Sequence, residues 1–357
     1  MEVLDAAPEA DEVYRRHAEH FLSVAEEANL NAGMLRPGGQ RLDLAMPEQD
    51  NFRGALAWAL RSESIPLGLE IATALEQLWV ADDPNEGIRW FERLFDRPEA
   101  EFVSQSLRAQ ALRAYGSSLH LAGRHETAEE MWAQSLAVFE KLEDEHGRAV
   151  LLHRLGISAM WRGELERARE LVEVSDEIHQ RTGDVWGRAQ TTGTLGAIAR
   201  DEGDERSALD LVRESAALAR EAEVPWWESG ALAELACLSL NAGPLEEGEA
   251  RARESLAIAD QLRDRPGRIF GVGIFARVAA ERGQRARAGR LWGAIEDEHA
   301  GAPLGGWRRH RQTCEGRIRE LAGPEFDRGH AEGRALTLDD AVSLALAAPD
   351  VEARSHD

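Results

Sequence analysis

Apolar residues recur at i, i+3, i+4 and i+7 along the chain, as in Leu151, Leu152, Leu155 and Ala159 and again in Leu165, Ala168, Leu171 and Val172. That is the period of a helix with one buried face, not the alternation of a strand. The pattern itself repeats: glycines stand at 123, 163, 203, 243 and 283, forty residues apart without insertion. In the same frame Gly116, Gly156 and Gly196 give way to Ala236 and Ala276, Ala128, Ala168 and Ala208 are followed by Gly248 and Ala288, and Ser135, Ser175, Ser215 and Ser255 recur. Each unit holds two amphipathic stretches, which predicts a helix hairpin whose central glycine takes the left-handed backbone that ends the first helix. Small residues at the Gly116 and Ala128 phases are expected where helices approach too closely for a long side chain. Neither helix can bury its apolar face alone, so the units must stack, and the chain is expected to be an all-α, right-handed α-solenoid.

The same reading divides the chain into a helical N-terminal cap at 1–68, a superhelix at 69–308, a helical C-terminal cap at 309–348 and a tail at 349–357. Within the superhelix five units fill 109–308, and a degenerate one fills 69–108, with Asp83 where glycine would stand and EGIRWFERLF as second helix. In the first cap EVYRRHAEHFLSVAEEA and EQDNFRGALAWALRS are amphipathic, on either side of a break at RPGGQ. In the last, WRRHRQTCEGRIRELAG and TLDDAVSLALAA read as helices, the second capped by Thr337 and Asp340, before a frayed PDVEARSHD.

Charge narrows the partners. Against 65 Asp and Glu the chain has 42 Lys and Arg, a net −23, so its field repels nucleic acid. No apolar h-region opens the sequence and no window approaches 18 uncharged apolar residues, which points to the cytoplasm and to no membrane partner. Cys237 and Cys314 form no CxxC pair, in keeping with a reducing compartment. Lys141 is the only lysine and sits in FEKLEDEHG, so no P-loop can be built, and GxSxG, HExxH, EF-hand and GxGxxG patterns are missing as well. No enzyme activity and no cofactor are therefore expected. His17 with His20 and His120 with His125 fall short of the three or four ligands a zinc site needs, and no metal is assigned. The pairs Asp82–Asp83, Glu296–Asp297 and Asp339–Asp340 belong to a solvated acidic surface, and serines recurring at one phase suit bonding to backbone better than four copies of a nucleophile.

The order Leu152, Leu155, Gly156, Gly163, Ala168 and Val172 resembles the tetratricopeptide repeat, with a longer unit than its usual ~34 residues. The extra length is assigned to a second helix running through Gln180 and to the linker RTGDVWG. Together with RRHAEHFLSVAEEA, DNFRGALAWAL, GRLWGAIEDEHAGAPLGGW and FDRGHAEGRALTLDDAVSLALA, the units resemble the MalT-like and AfsR-like C-terminal arms of bacterial LuxR- and AfsR-type STAND signal-transduction ATPase regulators, from about Val13 to Leu346. The resemblance implies the sensing or scaffolding arm, without the ATPase and without the helix-turn-helix. Its implied role is non-catalytic: binding a protein segment in a concave groove and reporting to a signalling ATPase or transcription regulator. A small effector, or a remnant of a larger ATP-dependent regulator, are the alternatives.

In tetratricopeptide arms the first helix of each unit lines the concave face. Projecting that frame places Arg113, Ser117, His120, His153, Ile157, Met160, Arg200, Cys237 and Arg277 there, with room at Gly193 and Ala197, and Trp161 beside them. If the three arginines face the groove, an acidic partner is favoured and their reversal to Glu should weaken its binding. Trp186, Trp226 and Trp227 open successive first helices, where they either seal hairpin against hairpin or form an aromatic ridge that anchors a partner.

Overall fold

The forty-residue period of the sequence is a period of the backbone. The computed structural model describes residues 10–31, 41–298 and 306–347, and these form helices joined by turns and short irregular connections, with no strand among them. The RPGGQ break, the GAPL segment and the C-terminal PDVEARSHD lie outside the described residues. The chain opens with α1 (Ala10–Glu27), α2 (Leu42–Ala45), α3 (Gln49–Arg61), α4 (Ile65–Ala74), α5 (Glu76–Ala81) and α6 (Pro84–Phe95). Five hairpins follow: α7 (Gln105–Leu121) with α8 (His125–Lys141), α9 (Glu145–Trp161) with α10 (Leu165–Thr182), α11 (Val185–Glu202) with α12 (Glu205–Glu221), α13 (Pro225–Ala242) with α14 (Leu245–Gln261), and α15 (Arg265–Glu281) with α16 (Arg285–Ile295). The chain closes with α17 (Gly306–Leu321), α18 (Pro324–Gly333) and α19 (Leu338–Leu346). This is the fold of an all-α, tetratricopeptide-like solenoid.

Helix starts advance in steps of 40, from Gln105 to Arg265 for the first helices and from His125 to Arg285 for the second. The extra length lies in the helices, 17 or 18 residues long from α7 to α15, and not in a linker: most of RTGDVWG is helical, with Gly183 and Asp184 alone between α10 and α11. Gly123, Gly163, Gly203 and Gly283 take φ between 74° and 86°, the left-handed stop predicted for them. Gly243 departs, with φ −128° and ψ −169°, because Pro244 follows and its ring drives the preceding residue into extended backbone. A second left-handed series joins the hairpins at Glu143, Gly183, Glu223 and Arg263, three of them without glycine.

Close packing explains the conserved phases within each hairpin. A Cβ on Gly116 would lie 2.4 Å from Trp132 Nε1, and one on Gly156 2.4 Å from Val172 Cγ2. The serines staple second helix to first: Ser135, Ser175 and Ser215 hydroxyls each donate at 2.7 Å to the carbonyls of Ala109, Ala149 and Ala189, and Ser255 donates at 2.8 Å to that of Ser229. All four are buried, so each satisfies a hydroxyl that would otherwise cost free energy.

The backbone falls into two compact units, Met1–Gly187 and Arg188–Asp357, divided inside α11. In the first, α1, α3, α4 and α6 enclose Phe21, Phe52, Leu56, Leu69 and Phe91, and Phe21 meets Phe52 edge-on at 5.7 Å. Asp83, at the glycine phase, caps α6 by accepting the Asn85 N–H at 2.9 Å. In the second, Leu256, Ile269, Phe270, Phe275, Leu291 and Trp292 form a core to which α17 adds Cys314 and Ile318 and α19 adds Val342. The Thr337–Asp340 cap forms with both reciprocal hydrogen bonds.

Candidate functional site

The side chains projected onto the inner face sit on the first helices of the hairpins, and most are buried. Arg113, Ser117, His120, His153, Cys237 and Arg277 are all under a tenth exposed, while Ile157, Met160 and Arg200 are half-buried. Trp161 differs, with 55% of its surface exposed.

In the first unit the charge on this face is met from upstream. Arg113 donates through Nη1 to Glu76 Oε2 at 2.7 Å and through Nη2 to Asn31 Oδ1 at 2.6 Å, and Arg154 Nη2 stands 3.9 Å from Glu76 Oε1. Glu76 is fully buried, so its carboxylate depends on these guanidinium groups. Burial, opposed by Glu76, lowers the pKa of Arg154 from its ordinary value. Next along the face, the His120 ring lies 4.6 Å from that of Trp161 and 5.2 Å from that of Trp132, and its Nδ1 is 3.2 Å from His125 Nδ1.

In the second unit α17 covers the corresponding residues. Glu234 on α13 is ion-paired to Arg200 and lies 2.6 Å from His310 Nε2 of α17, whose ring stacks on Phe270 at 5.6 Å. Burial alone would raise the Glu234 carboxyl, but the hydrogen bonds and charge of His310 and Arg200 outweigh it and hold the group below the usual carboxylate range. Arg277 donates at 2.7 Å to Asn241 Oδ1 and to the Leu240 carbonyl. The free thiol of Cys237 meets that of Cys314, and burial pushes the Cys237 thiol up. Of the tryptophans, Trp227 is buried and donates at 3.0 Å to Ser215 Oγ, Trp226 stands edge-on to it at 5.5 Å, and Trp186 is half-buried.

The buried histidines make this face sensitive to acid. Burial, with Arg154 adding repulsion, pushes His153 down to about 3, and burial with His125 nearby pushes His120 down to about 4. The unfolded chain takes up these protons near pH 6.5 and the folded chain does not, so the stability is full above pH 6.5 and is lost as pH falls toward 4. Each histidine should cost about 2 kcal/mol by pH 5, before carboxylates such as Glu234 titrate. Thermal melts at pH 7.5 and 5 should show a fall in Tm that His153→Gln reduces; equal Tm values would refute the buried neutral rings.

A third cluster was invisible to motif reading. His146 at the start of α9, His179 near the end of α10 and Asp184 before α11 bring one ligand-type atom each to within 4.8 Å of one another. Their signal in the sequence is a departure from the repeat: Phe139 stands at the His179 phase one unit earlier, and Trp186 and Trp226 at the His146 phase in later ones. Two surface hollows, of about 230 Å³ beside Trp90 and Arg93 and about 450 Å³ beside Phe139 and Arg148, lie apart from the predicted face residues.

No family model matches the chain. Over 115 residues it is 31% identical to proteins named "Putative HTH-type transcriptional regulator" in Mycobacterium bovis and Mycobacterium tuberculosis, a match that covers 31% of this chain and 13% of theirs. The chain thus spans a small part of the length of these curated relatives. Among solved structures it is similar to the signal transduction ATPase with numerous domains (STAND) protein with a tetratricopeptide repeat sensor from Pyrococcus horikoshii, at TM-score 0.55 and 13% identity over 92% of this chain and 52% of that one. It is also similar to the Rap conjugation gene regulator of plasmid pLS20 in complex with the Phr* peptide, at TM-score 0.54 and 10% identity over 86% and 96% of the two chains. A Rap protein complexed with competence and sporulation factor gives TM-score 0.53 and 12% identity over 94% and 99%. These likenesses establish the fold. No described helix is long and apolar enough to cross a membrane.

Proposed function

We propose that this chain is a non-catalytic interaction or sensor arm of a bacterial signalling or transcription regulator, and that it binds a polypeptide segment through the inner face of its first unit. The observation that carries the reading is Trp161, an exposed indole whose ring lies tilted, 4.6 Å from that of His120, among projected residues that are otherwise buried or half-buried. Flanked by Met160 and Ile157, it offers an apolar anchor of the kind that dominates binding energies. In the same unit Arg113 is paired with Glu76 and Arg162, next to Trp161 in the chain, with Glu129 and Glu164, so the anchor, not free arginine, selects the partner. Support comes from the Rap conjugation gene regulator in complex with the Phr* peptide, the Rap protein complexed with competence and sporulation factor, the repeat sensor of the STAND protein and the regulator names of the curated relatives.

Trp161→Ala should strip from the tagged chain the polypeptide it retains in its source cells while leaving Tm within about 1 °C, since an exposed ring contributes little to folding. Val174→Ala, on the second helix α10 and 39% exposed, should retain it. Equal retention by both variants would refute the Trp161 face.

A further inference from the structure

The cluster of His146, His179 and Asp184 has the composition and spacing of a metal site. Asp184 Oδ2 lies 3.0 Å from His179 Nδ1 and 3.2 Å from His146 Nδ1. Atoms bound tetrahedrally to zinc at about 2.0–2.1 Å stand about 3.3 Å from one another, so both separations are close to edges of a zinc tetrahedron. His179 is 2% exposed, and its Nδ1 makes no hydrogen bond despite the nearby carboxylate. A buried ring nitrogen left in that state is costly unless something else occupies its lone pair.

The surroundings fix the ligands in place. Asp184 Oδ1 accepts the Gly187 N–H at 2.8 Å, which caps α11 and leaves Oδ2 turned to the two rings. Gly187 also makes the space: a Cβ there would lie 2.1 Å from His179 Nδ1. His146 is about half exposed, so the fourth position of a tetrahedron opens to water.

We propose that His146 Nδ1, His179 Nδ1 and Asp184 Oδ2 bind one Zn²⁺ with a water as fourth ligand, clipping together the start of α9, the end of α10 and the start of α11. Imidazole and carboxylate together suit zinc better than the hard cations, which prefer all-oxygen shells. The reading is independent of the partner bound at Trp161.

The test uses the full chain, stripped by chelator and titrated with Zn²⁺ by calorimetry, with Co²⁺ as a spectroscopic substitute. Two variants keep the fold: His179→Phe restores the residue of the Phe139 phase, and Asp184→Asn keeps a cap at the start of α11. One equivalent of Zn²⁺ should bind, raise Tm and be weakened about 100-fold or more in each variant, and Co²⁺ should give visible d–d absorption that both variants lose. His125→Ala, a histidine outside the cluster, should bind as the parent does. Absence of stoichiometric binding, or binding unchanged in His179→Phe and Asp184→Asn, would overturn the assignment.

Discussion

Replacing Arg113 with Met is expected to lower stability by about 3–5 kcal/mol, because it leaves the fully buried Glu76 carboxylate without the guanidinium 2.7 Å away. Arg154 at 3.9 Å from the other carboxylate oxygen is too far to replace that contact. The double variant Arg113→Met with Glu76→Met should recover most of the loss, since removing both charges also removes the cost of burying them. Urea melts of the two single variants and the double one measure this directly. A loss under about 1 kcal/mol in Arg113→Met would mean that Glu76 is hydrated and the pair is not buried. The same physics changes the expectation for reversing Arg113, Arg200 and Arg277 to Glu. All three are held by partners within the chain, so that triple variant should unfold before any effect on an acidic partner can be read.

Gly329→Ala should cost about 3 kcal/mol, near the upper range for overpacking. Helices α16 and α18 touch backbone to backbone through two facing glycine pairs, Gly289 with Gly293 and Gly329 with Gly333. A Cβ on Gly329 would lie 2.1 Å from the Ala286 carbonyl oxygen, and one on Gly289 2.2 Å from that of Phe326. No rotamer change relieves a clash with a carbonyl; the helices must separate. Gly316→Ala on α17 is the control, because a Cβ there meets nothing within 4 Å and alanine favours helix by up to about 1 kcal/mol. Opposite shifts of Tm in the two variants are the expected result. Equal shifts would mean that α18 does not pack on α16 as described.

The features legible in the sequence are those set by local periodicity. The hairpin phase, the glycine stops, the serine staples and the Thr337 cap each follow from residues within one unit or one helix turn. What escaped was set at a distance or by context. Asn31 and Glu76 reach Arg113 from 82 and 37 residues away, so nothing near Arg113 announces that its charge is paired. Glu234 and Cys237 of the second unit are likewise covered by His310 and Cys314 of α17, an element outside the repeats. The left-handed turns at Glu143, Glu223 and Arg263 carry no glycine to mark them. Gly243 misled because the rule for a glycine stop gives way to the proline after it. The metal cluster lies across three helix ends, and only a comparison of each residue with its counterparts at the same phase exposes His146 and His179 as departures. Of the projected face, burial divides what the sequence listed side by side: Arg113 and Cys237 belong to the packed interior, and Trp161 stays at the surface.

The interaction reading rests on Trp161, and photo-crosslinking from that position in the source cells tests it most directly. With p-benzoylphenylalanine at 161 the chain should form a discrete adduct with another polypeptide on irradiation, and with the same group at 174 it should form none. An adduct at 174, or none at 161, would contradict a partner seated on the inner face of the first unit.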